Sequence, residues 1–353
     1  MRKAARAFYM TVFVIVIFTF TTNVMAKGIA TVTLSVDKES FAENESVTVN
    51  VTISNNSNGS IRILKWYTPF EDVEESLFNI TRDGEPVEYI GAHYKRPQPV
   101  EKDFIVLKSG ESFTRTVNLA EYYDFSVSGA YVIKYDIASF DLYQNEKSRL
   151  TDKQVGSLKS EGLSIFVEGR AANRPEPEAP SAVSGSSSFN KCTTTQQSSI
   201  ITARNEAAVY SSNALNYLLS NTQGARYTTW FGVYNSTRYN TVKNHFTNIK
   251  SAMDTASMTF DCGCRKKYYA YVYANQPYTI YVCSIFWQAP MTGTDSKAGT
   301  LVHETSHFTV VAGTDDWVYG QAGAKNLAIS DPAKAIDNAD THEYFAENTP
   351  FQP

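Results

Sequence analysis

Cysteine is scarce in this 353-residue chain, and none of the four present occurs before residue 192. The first half therefore has no disulfide to staple it and must be held by an ordinary apolar core. Histidine is scarcer still, five against 22 tyrosines, and the first 200 residues contain only His93. A lone imidazole reads as a surface or internally satisfied residue and not as a ligand. Long apolar runs are missing after residue 26, so no later segment is expected to span a membrane. Positive charge is not in excess either. Residues 27–185 carry 17 Lys and Arg against 24 Asp and Glu, residues 186–353 carry 12 against 12, and the chain sums to −4. Neither half has the basic balance of a nucleic-acid binder, and the acidity of the first is that of a solvated surface.

The one apolar run opens the chain. Arg2, Lys3 and Arg6 precede the largely apolar Phe8–Phe20, and Val24-Met25-Ala26 offers the small residues that a signal peptidase reads. Residues 1–26 thus read as a secretory signal peptide, too short in its apolar core for a membrane anchor and not followed by a lipid-bearing cysteine. The chain is expected to be secreted, without stable membrane association. The remainder exceeds one ordinary domain, and a seam is visible between Arg170 and Ser188, where RAANRPEPEAPSAVSGSSS has almost no large apolar residue. Residues 171–187 are read as an exposed linker with a cleavage site, between units 27–170 and 188–353.

Before the seam, period-two runs recur at Thr31–Val36, Ser46–Ile53, Ile61–Trp66, Ser112–Leu119 and Tyr131–Ile137, separated by turn clusters such as Asn55-Asn56-Ser57-Asn58-Gly59. That pattern predicts an all-β, immunoglobulin-like sandwich. It holds no catalytic cluster. Asn44, Asn50, Asn56 and Asn79 begin Asn-Xaa-Ser/Thr triplets, a weak pattern that carries no conclusion.

After the seam, Gly299–Gly320 reads GTLVHETSHFTVVAGTDDWVYG. His303 and His307 stand one helical turn apart, so both imidazoles can hold one zinc ion while Glu304 faces the remaining coordination position. Zinc lowers the pKa of a bound water to about 7 and polarises a carbonyl, and a neighbouring carboxylate can move the water's proton to a leaving amine. The pentapeptide alone recurs by chance, and the residues beyond it matter more. Gly313-Thr314 turns the chain into Asp315 and Asp316, delivering a carboxylate as third ligand, while His342, Glu343 and Glu347 remain alternatives for that place.

HETSH followed by Gly313-Thr314-Asp315-Asp316-Trp317-Val318-Tyr319-Gly320 resembles the aspzincin peptidases, the group of deuterolysins and peptidyl-Lys metalloendopeptidases, whose signature is HExxH and then Gly-Thr-Xaa-Asp-Xaa-Xaa-Tyr-Gly. The resemblance spans roughly residues 188–353 and does not extend clearly to the first unit. It implies one Zn2+ on His303, His307 and Asp316, with Asp315 at the variable position, Glu304 as general base and Tyr319 as hydrogen-bond donor to the developing oxyanion. Without the motif, Tyr319 would read as one packed aromatic among many.

An even cysteine count in an exported chain argues for two disulfides, and Cys262 and Cys264, separated by one glycine, are too close to bond each other without strain. The resemblance implies Cys192 with Cys262 and Cys264 with Cys283. The first of these closes a long loop and would contribute about 3 to 5 kcal/mol.

Helical spacing predicts helices over Thr194–Asn221 and Asn240–Met253, with Thr228–Gly232 as a packed aromatic turn between them. Tyr268–Tyr273 and Tyr278–Phe286 alternate as a hairpin around Asn275-Gln276-Pro277, mostly as packing. In zinc peptidases of this architecture such a sheet lies over the metal helix, and its edge can hold an extended substrate. Pro332–Phe345 reads as a last helix on which Asp340 and Glu343 share a side. In isolation the pair is a solvated acidic face. The resemblance to the peptidyl-Lys enzymes makes it an S1′ pocket for a lysine ammonium, with cleavage on the amino side of Lys.

The expectation is a secreted zinc endopeptidase acting on protein or peptide substrates: an α+β zincin-like unit preceded by a β-sandwich propeptide that inhibits it intramolecularly. A broader deuterolysin-like peptidase, or a secreted binding or adhesion protein with a permanent β-sandwich, are the alternatives.

Overall fold

The computed structural model describes residues 29–144, 155–170, 185–221 and 223–353. The expected signal peptide and residues 171–184 of the expected linker lie outside them. The amino-terminal region is β-rich, with β1 (Ala30–Ser35), β2 (Ser40–Phe41), β3 (Thr48–Asn55), β4 (Ile61–Leu64), β5 (Phe78–Arg82), β6 (Glu85–Pro86), β7 (Ala92–Lys95), β8 (Phe104–Leu107), β9 (Ser112–Asn118), β10 (Gly129–Ser139), β11 (Gly156–Lys159) and β12 (Leu163–Val167). They form a β1-β3-β9 sheet, a β2-β12-β10-β5-β6 sheet with β11 beside β10, and a β4-β8 pair. Alternation builds the core. Val49, Val51 and Ile53 of β3 and Tyr131, Ile133 and Tyr135 of β10 are all buried in one cluster, each contributing about 1.5 to 3 kcal/mol by leaving water. The turn after β3 is fastened by Asn55, whose amide donates to the carbonyls of Gly59 and Leu107 at 2.7 and 2.9 Å.

The carboxy-terminal region is α+β. Its elements are β13 (Ser187–Asn190), α1 (Thr194–Leu219), α2 (Ala225–Phe231), α3 (Ser236–Thr255), β14 (Met258–Asp261), β15 (Ala270–Tyr273), β16 (Thr279–Val282), α4 (Lys297–His307), α5 (Gly320–Ser330), α6 (Pro332–Ala335) and α7 (Ala339–Glu347). Cys192 is bonded to Cys262 and Cys264 to Cys283, the pairing that the resemblance implies. The buried Arg204 ties β13 to the helices by donating to the carbonyls of Ser186, Met253 and Ala256. Where an aromatic turn was expected, Thr228–Phe231 lies in α2, which ends at Gly232 with φ +78°.

The sheet runs β13-β14-β16-β15-β7, so a strand of the amino-terminal region completes the sheet of the other region. Nothing in Gly91-Ala92-His93-Tyr94-Lys95-Arg96 alternates strongly enough to predict a strand. Its conformation comes from pairing with β15.

Helix α4 is capped by Ser296, whose hydroxyl accepts from the Gly299 amide at 2.9 Å, and every residue from Lys297 to His307 is buried. It packs between α1, α7 and β15. The approach to α7 needs Gly299: a Cβ there would stand 2.1 Å from a Glu347 carboxylate oxygen. The last helix is not continuous from Pro332. It breaks at residues 336–338 because Asn338 is used by a loop: its side-chain oxygen accepts from the Trp317 and Val318 amides at 2.9 and 3.1 Å, and Asp315 and Ala339 bond through their backbones. The interruption holds the loop that carries Asp316.

Candidate active site

His303 and His307 project from one face of α4 with their Nε2 atoms 3.2 Å apart. Ser306 and Thr314 are joined by their hydroxyls at 2.7 Å, and Gly313, at φ +62°, reverses the chain after the helix. The turn sends two consecutive carboxylates apart. Asp316 places one oxygen 3.4 Å from His303 Nε2 and the other 3.4 Å from His307 Nε2, while Asp315 reaches His93 Nδ1 at 3.5 Å.

Ligand atoms about 3.3 Å apart are what four-coordinate zinc requires at metal–ligand distances of about 2.0 to 2.1 Å. The Asp316 oxygens and both Glu304 oxygens are buried without a hydrogen-bond partner among the described residues, which is how polar atoms stand when an ion and its water complete them. The outer nitrogens are held as metal sites need: His307 Nδ1 is 2.7 Å from the Thr314 carbonyl, and His303 Nδ1 is 2.9 Å from Asp340 Oδ1. These residues fit a zinc ion. Burial pushes the Asp316 carboxyl up, but the charges of His307 and His303 outweigh it and hold it well below the usual range. Burial, with Asp316 and Glu343 nearby, raises Glu304 to about 8, so its ionised form depends on neighbouring positive charge.

The other candidates for third ligand face elsewhere. His342 Nδ1 meets the Asn338 carbonyl at 2.9 Å and its Nε2 meets His245 Nδ1 at 3.0 Å. Glu347 accepts from the Ser296 amide and hydroxyl at 2.9 and 2.8 Å. Glu343 lies 3.5 Å from Nδ1 of His303, on the side away from Asp316.

Asp340 and Glu343, both fully buried, face one cavity, and it holds a lysine. Lys95 Nζ lies 2.5 Å from Glu343 Oε2, 3.2 Å from Asp340 Oδ1 and 3.6 Å from Asp295 Oδ1. The rings of Tyr269 and Tyr344 stand 5.0 and 5.8 Å from the ammonium. Burial opposes the Lys95 charge, yet the carboxyls of Asp340, Glu343 and Asp295 raise its pKa well above the ordinary value. Of the two buried acids, Glu343 is pushed well up by burial, against the pull of Lys95, whereas at Asp340 burial is outweighed by Lys95 and His303, which hold it low.

Tyr319 is buried at the amino end of α5. Its hydroxyl oxygen lies 2.7 Å from Glu75 Oε1 and 3.0 Å from the Tyr94 carbonyl, two acceptors for its one proton, and accepts from Arg96 at 2.9 Å. His93, read from the sequence as a surface or internally satisfied residue, lies inside the protein beside Asp315. It is 8% exposed, and its ring stacks on that of His307 with centroids 4.7 Å apart. Sequence reasoning also missed Asp295, Tyr269 and Tyr344, together with Lys95 and Glu75, whose only connection to the site is through space: Lys95 and Asp340 are 245 residues apart.

Residues 216–347 match the aspzincin family, described as lysine-specific metallo-endopeptidase. Over 314 residues the chain is 46% identical to an extracellular protease of Aeromonas hydrophila, covering 87% of this chain and 90% of that one. Over 331 residues it is 37% identical to a peptidyl-Lys metalloendopeptidase of Armillaria mellea, covering 89% and 90%. A solved zinc peptidase from Grifola frondosa shares 51% identity over 46% of this chain and the whole of its own, with a TM-score of 0.45. Among the described residues no helix is long and apolar enough to cross a membrane. With a relative 46% identical across most of both chains, and the family's motif built into one buried cluster, this chain belongs to the aspzincin family of zinc metalloendopeptidases.

Proposed function

We propose that the chain is a secreted endopeptidase that cleaves on the amino side of lysine, and that it is made as a precursor. His303, His307 and Asp316 would hold one zinc ion, which when bound supplies the Lewis acidity for this hydrolysis. Glu304 takes a proton from the attacking water and returns it to the departing amine. Tyr319 donates its phenolic hydrogen bond to the carbonyl as negative charge develops there. Asp340 and Glu343 receive the lysine side chain, and the edge of β15 receives the substrate backbone.

One observation carries the lysine assignment: the Lys95 ammonium sits between Asp340 and Glu343 while the carbonyl of the residue before it lies 3.0 Å from the Tyr319 hydroxyl. A lysine in that pocket thus follows a peptide carbonyl at the group proposed to polarise it. The same contact supports reading the first region, an immunoglobulin-like sandwich over residues 27–170, as a propeptide. Residues 1–26 would export the chain, and residues 171–187 would be cut to free the enzyme of residues 188–353.

The test is peptide mapping. Denatured protein substrates incubated with the processed enzyme should yield new amino termini that begin with Lys, and a zinc chelator should abolish them. New termini spread over many residue types would replace this reading by a broader peptidase.

A further inference from the structure

We infer that β7 is a tethered substrate mimic, holding the Tyr94–Lys95 bond in the cleft at the position of a bond to be cut. The inference rests on the proposed function, a lysine-directed peptidase with a propeptide, and deepens it by assigning the inhibitory segment and its contacts.

Backbone placement comes first. Without β7 the five-stranded sheet would end at β15 with an unpaired edge. Strand β7 pairs antiparallel to it in the register Lys95 with Ala270, Tyr94 with Tyr271, His93 with Val272 and Ala92 with Tyr273, and the Tyr269 amide donates to the Lys95 carbonyl at 3.0 Å. This is strand addition of the kind that binds extended peptides.

Alternation then sends side chains where a substrate would send them. His93 and Lys95 point to the same buried side, toward α4, and Tyr94 to the other, against Tyr268 and Tyr271 with ring centroids 5.3 Å away in each case. Lys95 fills the carboxylate pocket, and His93 covers His307, with ligand atoms of His93, His307 and Asp316 all within 4.8 Å of one another. The peptide group between them presents the Tyr94 carbonyl to Tyr319. The segment therefore reads P2 His93, P1 Tyr94, P1′ Lys95.

A second set of contacts accounts for the bond's persistence. A phenol has one proton to give, and a carboxylate is a stronger acceptor than a peptide carbonyl. Glu75, 2.7 Å from the Tyr319 oxygen and paired with the buried Arg96, competes for the proton that would otherwise stabilise charge on the Tyr94 carbonyl. The amino-terminal region thus supplies both the bait and the group that diverts Tyr319.

The test uses the full-length chain carrying Glu304→Gln, which cannot process itself, loaded with zinc. A fluorescent peptide with one internal lysine is titrated by anisotropy. The chain with Lys95 intact should bind it poorly, and Lys95→Ala should tighten Kd at least tenfold by vacating the pocket. Hydrogen exchange supplies a readout that needs no pocket variant: the amides of Tyr269 and Tyr271, which face β7, should exchange slowly in the uncut chain and faster once residues 27–184 are removed. Equal peptide affinity with and without Lys95, together with unchanged exchange on removal, overturns the inference. If the processed enzyme still cuts before lysine in that case, the functional reading stands and only the mimic falls. Loss of lysine preference in the processed enzyme would instead remove the reading beneath it.

Discussion

Asp340 Oδ1 lies 2.9 Å from His303 Nδ1, and the same oxygen lies 3.2 Å from the Lys95 ammonium. The proposed lysine pocket and the candidate metal centre therefore share a residue, whereas Glu343 contributes its closest contact, 2.5 Å, to the lysine.

The shared residue separates two variants. Glu343→Gln should leave zinc affinity near normal and lower kcat/KM for Lys at P1′ far more than for Met or Ala, by about 2 to 5 kcal/mol for disrupting a buried contact to the ammonium. Asp340→Asn should do the same and also weaken zinc binding by about 10- to 100-fold, because the imidazole loses its orienting carboxylate. Chelator competition on both proteins checks this; equal zinc affinity would mean that Asp340 acts on the substrate alone.

Glu304 is fully buried with both oxygens unpartnered among the described residues, so its replacement removes a proton acceptor and no hydrogen bond seen there. Glu304→Gln should keep zinc content and fold while kcat falls by about 10²- to 10⁴-fold. Retention of near-normal turnover by a pure, zinc-loaded sample would reassign the base.

Asp315 and Asp316 are adjacent in sequence and opposed in direction, the first toward His93 and the second toward both metal-helix histidines. Asp316→Ala should lose most of its zinc on dialysis, and Asp315→Ala should retain it. Metal analysis of the two purified variants decides between them, and the reverse result would exchange their roles.

His245 and His342 make a neutral pair. His342 Nδ1 donates to the Asn338 carbonyl, which leaves Nε2 to accept from His245 Nδ1, and a further proton on His342 would set N–H against N–H. Burial lowers His342 to about 3 and His245 to about 4. Both folded values lie below the unfolded value near 6.5, so below that pH the unfolded chain binds protons that the native chain does not. Stability should fall as pH drops from about 6.5 toward 4, by about 1.4 kcal/mol per pH unit for each histidine. Nitrogen-15 shifts of the Glu304→Gln protein should show His342 still neutral at pH 5. Titration of His342 near 6.5 would contradict the buried pair.

Much of the metal centre is legible because its geometry is local. Two histidines four apart face one way on any helix, and Gly313-Thr314 brings the chain back within a few residues, so period and turn chemistry suffice. The long helices are legible for the same reason, through spacings such as Ile200, Ala203, Ala207, Ala214 and Leu218, all buried. The break at residues 336–338 is not, since Asn338 leaves the helix to serve the Asp315–Val318 loop, a partner that no local pattern reveals.

Backbone periodicity and turn preference act over a few residues, and they were enough to mark the residues that could meet a metal and the elements that would carry them. They also marked Asp340 and Glu343 as neighbours on one helix. What lies against that pair came from tertiary packing alone: Asp340 also orients His303, Asp295 and two tyrosine rings complete the pocket, and His93, Tyr94 and Lys95 cross the cleft as a strand. The strand forms because the unpaired edge of β15 supplies its hydrogen bonds and a buried carboxylate pair supplies a counter-charge for Lys95, and both reach it from more than 150 residues farther along the chain, beyond the range of local patterning.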